Sequence, residues 1–172
     1  QVFSVDTIPT QIPDLDEQVD ITVNPKFPEP NSEVIITLDA DEQHNPKEIP
    51  KMIKRLETSD IVIGTRKPNK NMPLIFKLGN IFLQSAFQML YNKKIIDTQS
   101  GFRAFNPNIY KKIEWETTGY EAETEMLANA AKNNLKISYH PIETVYLDNY
   151  KGTTILDGIK IFMNMLYWRI KK

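Results

Sequence analysis

No cysteine occurs anywhere in the chain. That excludes a disulfide framework, a thiolate nucleophile and any zinc–thiolate site. Histidine is almost as scarce. His44 and His140 are the only two, too few for a histidine-based metal cluster. Neither sign of charge prevails: 21 basic and 22 acidic residues leave a formal net charge of −1, whereas a nucleic-acid footprint is normally strongly basic. No uninterrupted apolar run approaches the roughly 20 residues that span a bilayer. Gln1–Thr10 also lacks the basic-then-apolar order of a signal peptide. These absences lead to the expectation of a cytoplasmic protein that binds no nucleic acid, with contact at the cytoplasmic face of a membrane left open. What remains is an ordinary globular composition, 41% hydrophobic and 25% charged, in 172 residues. That is enough for one domain with a sizeable core.

Residues 1–33 form a proline-rich N-terminal arm, with Pro9, Pro13, Pro25, Pro28 and Pro30 among many acids. Short alternating pieces such as Val19–Val23 suit edge strands, and no helix is expected there. From residue 34 the pattern sharpens. Val34–Leu38 reads as a buried strand. Asn45 and Pro46 open a helix, with Glu48 at its third position, and Ile49, Met52, Ile53 and Leu56 mark its apolar face. Asp60–Gly64 reads as a second strand. Strand, helix and strand in about thirty residues predict a βαβ unit with a parallel pair and both following loops on one side of the sheet. Pro73 begins a long helix ending at Asn92, with Leu74, Leu78, Ile81, Phe82, Ser85 or Ala86, and Met89 as its packing stripe. Thr118–Glu121 fits a capping box for a helix carrying Met126, Leu127, Ala130 and Ala131. Ile137–His140 and Ile142–Leu147 read as strands broken by Pro141. Thr154 and Asp157 form another capping box. Ile155, Ile159, Phe162, Met163 and Leu166 then stripe a last amphipathic helix in 151–172, whose late basic residues and aromatics suit either the helix dipole or anionic lipid.

The chemistry concentrates at Leu38-Asp39-Ala40-Asp41-Glu42-Gln43-His44-Asn45-Pro46. Two carboxylates at i and i+2 just past a strand can share one hard divalent cation, Mg2+ or Mn2+, which often also binds substrate phosphate. An acidic loop capping the next helix is the plain alternative. Arg66 follows the second strand and Arg103 follows the Ser100–Gly101 turn. Guanidinium forks suit phosphate oxygens, although either could be a surface ion pair. Asp97, at an element end, can accept or orient an acceptor's proton, or merely bind turn amides. Glu121, Glu123 and Glu125 crowd a helix start. Negative charge there is stabilising in itself, so Glu121 reads as the cap and Glu123 and Glu125 as candidate site carboxylates. Gln43 can orient substrate, and His44 reads as structural or solvated.

Taken together, Asp39–Pro46, Ile49-Pro50, Gly64-Thr65-Arg66, Asp97-Thr98-Gln99-Ser100-Gly101-Phe102-Arg103-Ala104 and Glu123-Thr124-Glu125-Met126 resemble, in order and separation, the dolichol-phosphate mannose synthase-like branch of the family 2 glycosyltransferases. The resemblance covers residues 34–150, which it implies are the catalytic portion. It implies an α/β fold: a partial or variant glycosyltransferase A-fold with a mainly parallel sheet flanked by helices. It implies that Asp39 and Asp41 hold Mg2+ or Mn2+ with a nucleotide-sugar diphosphate, accompanied by Gln43. Arg66 and Arg103 would face donor or acceptor phosphates. Asp97 would serve the acceptor, with Glu125 as the competing catalytic assignment. The implied reaction is inverting transfer of the sugar to a polyprenyl phosphate. A soluble or polysaccharide acceptor, or a non-catalytic binding module, are the alternatives. Two departures stand out. The family's early Pro-x-x-Asn-Glu-like strand and its Asp-Asp strand, which bind the nucleoside, have no counterpart here. At 148–154, Lys151-Gly152 keeps part of a phosphate-gripping loop while Thr153-Thr154 replaces the usual Ser-Lys, which leaves Lys151 as the basic residue for that role.

Overall fold

The computed structural model describes residues 33–38, 44–66, 74–117, 119–142 and 154–171. Among these, four strands form one sheet: β1 (Ile35–Thr37), β2 (Ile61–Arg66), β3 (Arg103–Phe105) and β4 (Ile137–Ile142), in the order β1-β3-β2-β4. Helices α1 (Ile49–Leu56), α2 (Leu74–Tyr91), α3 (Tyr110–Ile113), α4 (Ala122–Lys132) and α5 (Ile155–Ile170) flank it. The mainly parallel sheet expected from the sequence is not what forms. β3 runs antiparallel to both β1 and β2, and only β2 and β4 pair in parallel. The unit β1–α1–β2 exists, and its two strands run the same way. They are not neighbours, because β3 fills the gap between them, with Ala104 opposite Ile36 on one side and Val62 on the other. All three residues of β3 are buried, and β3 is, with β2, one of the two interior strands of the sheet. Asp97–Phe105 reads in the sequence as a polar turn passing into a short strand, and β3 is that strand; which strands it lies between is set by packing and not by its three residues.

Side chains alternate across the sheet with the strand period of two. Ile61, Ile63 and Phe105 face a core shared with α2, α4 and α5. Val62, Ala104 and Ile142 face α1, where Ile49, Met52 and Leu56 close a second core. Gly64 lies on the α1 side. A methyl group there would sit 3.1 Å from Ile142 and 3.2 Å from the Phe102 carbonyl, so a larger residue would push these neighbours apart by a few tenths of an ångström. Pro141 does not break β4, which runs unbroken to Ile142. β4 ends the strand order, and an edge position tolerates a residue without an amide proton.

Helix ends follow sequence in part. Thr154 and Asp157 form both hydrogen bonds of the expected capping box. Asn92 and Asn134 stop α2 and α4 with left-handed backbone, φ 53° and 55°. Asn45 caps a short 3-10 turn, Pro46–Glu48, by accepting from Lys47 N at 3.1 Å. Glu121 gives α4 no side-chain cap; its carboxylate pairs instead with Lys160 of α5.

The stripes expected on the two long helices face mostly outward, with Ala86 of α2 buried and Phe162 and Leu166 of α5 half-buried as exceptions. α2 turns Leu83, Ala86, Phe87 and Tyr91 to the core and leaves Leu74, Leu78, Ile81, Phe82 and Met89 exposed. α5 buries Ile161, Met165 and Trp168, and leaves Ile155, Ile159 and Met163 outside. Both helices are apolar nearly all round, so periodicity could not choose the inward face. The contrast is measurable: Phe87→Ala should cost about 3–5 kcal/mol of unfolding free energy. Met89→Ala, at an outward position, should stay within about 0.5 kcal/mol, both read from urea midpoints at unchanged slope.

Candidate active site at one edge of the sheet

Because β1, β2 and β4 run in one direction and β3 in the other, three strands end and one begins along the same edge. The ends of β1, β2 with Arg66, and β4, and the turn 97–102 that feeds β3, therefore meet there. Asp39, Asp41, Gln43 and Lys151 lie outside the described residues. The two flanks of the acidic run do not. On one side, Thr37 Oγ1 donates to the Gly101 carbonyl at 2.9 Å. On the other, the buried His44 ring rests on Phe102 with centroids 5.3 Å apart. Both flanks are thus tied to the turn that carries Asp97.

Arg66 and Asp97 form a two-pronged ion pair. Arg66 Nε donates to Oδ2 at 2.9 Å and Nη2 to Oδ1 at 3.0 Å, while the Gln99 amide also donates to Oδ1 at 3.0 Å. Burial pushes the Asp97 carboxyl up. The Arg66 hydrogen bonds and charge, the Gln99 amide and the charge of Arg103 outweigh it, so the group is held below its ordinary 3.8. A carboxylate so engaged is a poor proton acceptor and a firm anchor for Arg66.

Arg103 is almost wholly buried. Its guanidinium donates to the carbonyls of Ser100 (2.8 Å), Thr98 (3.3 Å) and Glu123 (2.6 Å), binding the 97–103 turn to the start of α4. Gln99 Nε2 adds a bond to Thr124 Oγ1 at 2.8 Å. Glu123 meets this joint through its main chain. Glu125 turns elsewhere, with Oε2 accepting from the amides of Glu116 (3.2 Å) and Thr117 (2.9 Å) and from the Thr117 hydroxyl (2.5 Å). It fixes the segment leading into α4.

A second polar cluster lies behind the edge, between α1 and β4. His140 Nδ1 accepts from Arg55 Nε at 3.2 Å, which places the ring proton on Nε2, 2.7 Å from Glu48 Oε2. The His140 hydrogen bond lowers the Glu48 carboxyl below its ordinary value; burial opposes this and Lys51 reinforces it. Sequence gave Glu48 only a place in the first helical turn. Its signal was a carboxylate on a helix whose neighbouring positions are core, but its partner lies 92 residues away.

The Arg66–Asp97 pair carries a pH signature. With its pKa depressed in the fold, Asp97 contributes stability that is complete above the ordinary carboxylate value and lost as pH falls through the lowered one. Asp97→Asn should flatten the fall of the urea midpoint between about pH 5 and pH 2 and cost about 1–3 kcal/mol at neutral pH. An unchanged acid limb would show that the pair does not form in solution.

Residues 28–114 match the model of the family described as "Glycosyl transferase family 2". An uncharacterised protein of Methanocaldococcus jannaschii is 35% identical over 147 residues, 80% of this chain and 60% of its own length. The UDP-N-acetylglucosamine–dolichyl-phosphate N-acetylglucosaminyltransferase of Methanococcus voltae is 35% identical over 162 residues, 88% of this chain and 64% of its own length. The chain thus spans about three fifths of these relatives. Among solved structures, glucosyl-3-phosphoglycerate synthase of Mycobacterium tuberculosis superposes with a TM-score of 0.58 over 81% of this chain and 50% of that one, at 14% identity. That likeness carries the fold alone, an α/β arrangement of the glycosyltransferase A kind with a mixed sheet. On the family match and the two archaeal relatives, the chain belongs to glycosyl transferase family 2.

Proposed function

We propose that the protein transfers a sugar from a nucleotide-sugar donor to a polyprenyl-phosphate acceptor, with inversion at the anomeric carbon and with a divalent cation held by Asp39 and Asp41. The observation that carries this reading is the convergence at the sheet edge. Both flanks of the acidic run rest on Gly101 and Phe102, the turn that also presents Asp97 and, through it, Arg66. The names of two relatives support the acceptor class: the Methanococcus voltae enzyme and a dolichyl-phosphate hexose transferase of Haloferax volcanii, 31% identical over 117 residues.

Among the described residues no group of three or more His, Asp or Glu side chains is arranged to hold a metal. Asp39 and Asp41 supply the oxygen donors that Mg2+ or Mn2+ prefers, and the protein has no cysteine to favour a softer ion. A cation there would neutralise charge on the departing diphosphate. Around it, Gln43 orients the donor, and Arg66, fixed in direction by Asp97, presents positive charge to phosphate. Lys151, on the segment that follows β4, adds a second cationic contact. The acceptor oxygen is already anionic near neutral pH, so attack needs alignment more than proton removal. Asp97 serves that alignment by holding Arg66. Arg103 and Glu125 keep the turn and the approach to α4 in place, and Glu123 lies beside Arg103 at the edge of the site.

The test is a panel of radiolabelled nucleotide sugars offered with polyprenyl phosphate, with and without Mn2+. Transfer by the parent chain should fall on the order of a hundred-fold or more in Asp41→Asn and on chelation of divalent ions. Equal transfer by parent and variant, or transfer indifferent to chelation, removes the metal-dependent reading. Transfer to a soluble sugar in place of the lipid phosphate removes the acceptor assignment.

A further inference from the structure

Two polar contacts bracket α1 and join it to β4. At the end of α1, the hydroxyls of Ser59 and Ser138 lie 2.9 Å apart, and Ser59 Oγ donates to the Arg55 carbonyl at 2.7 Å. Two residues on, on the same face of β4, His140 meets Glu48 and Arg55. Cohesion does not require this second contact, because Ile49, Met52 and Leu56 already pack with Val62 and Ile142. Burying a carboxylate and an imidazole costs free energy that an apolar pair would not. What the pair adds is register. Apolar surfaces let a helix slide along a strand, whereas the 2.7 Å bond between His140 Nε2 and Glu48 Oε2 holds one alignment.

Both partners lie next to the site edge. Glu48 closes the 3-10 turn that follows His44, and its amide donates to the Asn45 carbonyl at 3.1 Å. The His44 ring rests on Phe102, so Glu48 belongs to the downstream flank of the acidic run. His140 stands opposite Gly64 in the β2–β4 register, and its carbonyl accepts from Thr65 Oγ1 at 3.3 Å. Two residues later Ile142 stands opposite Arg66, and the chain continues from there toward Lys151. A contact between residues 92 apart in sequence thus ties the flank of the carboxylates to the strand ends that lead to the cations. The bond has a defined direction. Arg55 can only donate, so His140 Nδ1 accepts and the ring proton on Nε2 faces Glu48. Exposed Lys51 donates to both Glu48 oxygens at 3.2 Å and closes the cluster from outside.

We propose that Glu48 and His140 are positioning residues for the site: their hydrogen bond fixes the flank of the acidic run against the strand ends at Arg66 and Ile142, and so sets the affinity for a divalent cation carrying a diphosphate. This role rests on the reading above, in which Asp39 and Asp41 hold the cation and Arg66 and Lys151 face phosphate. Neither Glu48 nor His140 is a catalytic residue. Each acts through the backbone it holds, as the supporting partners of metal ligands do.

The probe is Mn2+ with pyrophosphate, a diphosphate without sugar or nucleoside, titrated into the chain by calorimetry. His140→Asn keeps an acceptor for Arg55 but cannot reach Glu48, and should weaken binding on the order of ten-fold. His140→Gln keeps a donor at the reach of Nε2 and should bind within about three-fold of the parent. Glu48→Ala should match His140→Asn, and the two together should lose no more than either alone. Ser138→Ala removes the other contact; it should lower the urea midpoint and leave binding unchanged. Circular dichroism checks that each variant is folded. With a donor that the parent transfers, His140→Asn should raise KM by a similar factor while kcat changes little. Unweakened binding by His140→Asn, no recovery in His140→Gln, or an equal loss in Ser138→Ala overturns the proposal. So does a parent chain that binds no Mn2+–pyrophosphate. Sugar transfer that these variants leave unaffected would keep the function proposed above and remove this pair from it. The expected binding pattern without any sugar transfer would leave the pair standing and count against that function.

Discussion

Arg103 carries a permanent positive charge into the interior, and the chain surrounds it with main-chain oxygen. Three carbonyls, from Thr98, Ser100 and Glu123, receive its protons. A buried cation left without such acceptors would be costly, so the turn and the first residues of α4 are constrained to stay where they can supply them. Everything at the sheet edge hangs from that joint. It sets where β3 enters the sheet and so holds β1 and β2 apart with one strand between them. It fixes the turn on which Asp97 stands, and its charge helps keep Asp97 ionised.

The site then follows as a hierarchy of supports. Asp97 holds Arg66 by two hydrogen bonds, which sets the direction of a guanidinium at the end of a strand. Thr37 and His44 hold the two flanks of the acidic run against the same turn. Glu125 fixes the approach to α4, and the Glu48–His140–Arg55 cluster ties α1 to β4 behind the edge. The ionisable residues named here are thus engaged in holding other groups in place.

The helices follow a different logic. α1 places its sequence-evident apolar face inward and leaves Lys51, Lys54 and Arg55 outside, while α4 is buried on nearly every side, Thr124 and Glu125 included. α2 and α5 have apolar residues on both sides and bury only one. The buried choice, with Phe87 and Tyr91 on α2 and Met165 and Trp168 on α5, fills the space above Ile61, Ile63 and Phe105. The outward residues are left with no core to enter.

Sequence by itself determined the local events. It set the strand before the acidic run, the Asn92 stop, the Thr154–Asp157 box and the inward face of α1. It also showed the order of motifs that places the chain among the glycosyltransferases, because each of these depends on residues within a few positions of one another. Tertiary structure alone decided that β3 lies between β1 and β2, that Arg103 is a buried joint, that Glu48 meets His140, and which side of α2 faces the core. Those outcomes depend on which surfaces far apart in the chain fill the same volume and satisfy the same buried charges, and no short window of residues contains that competition.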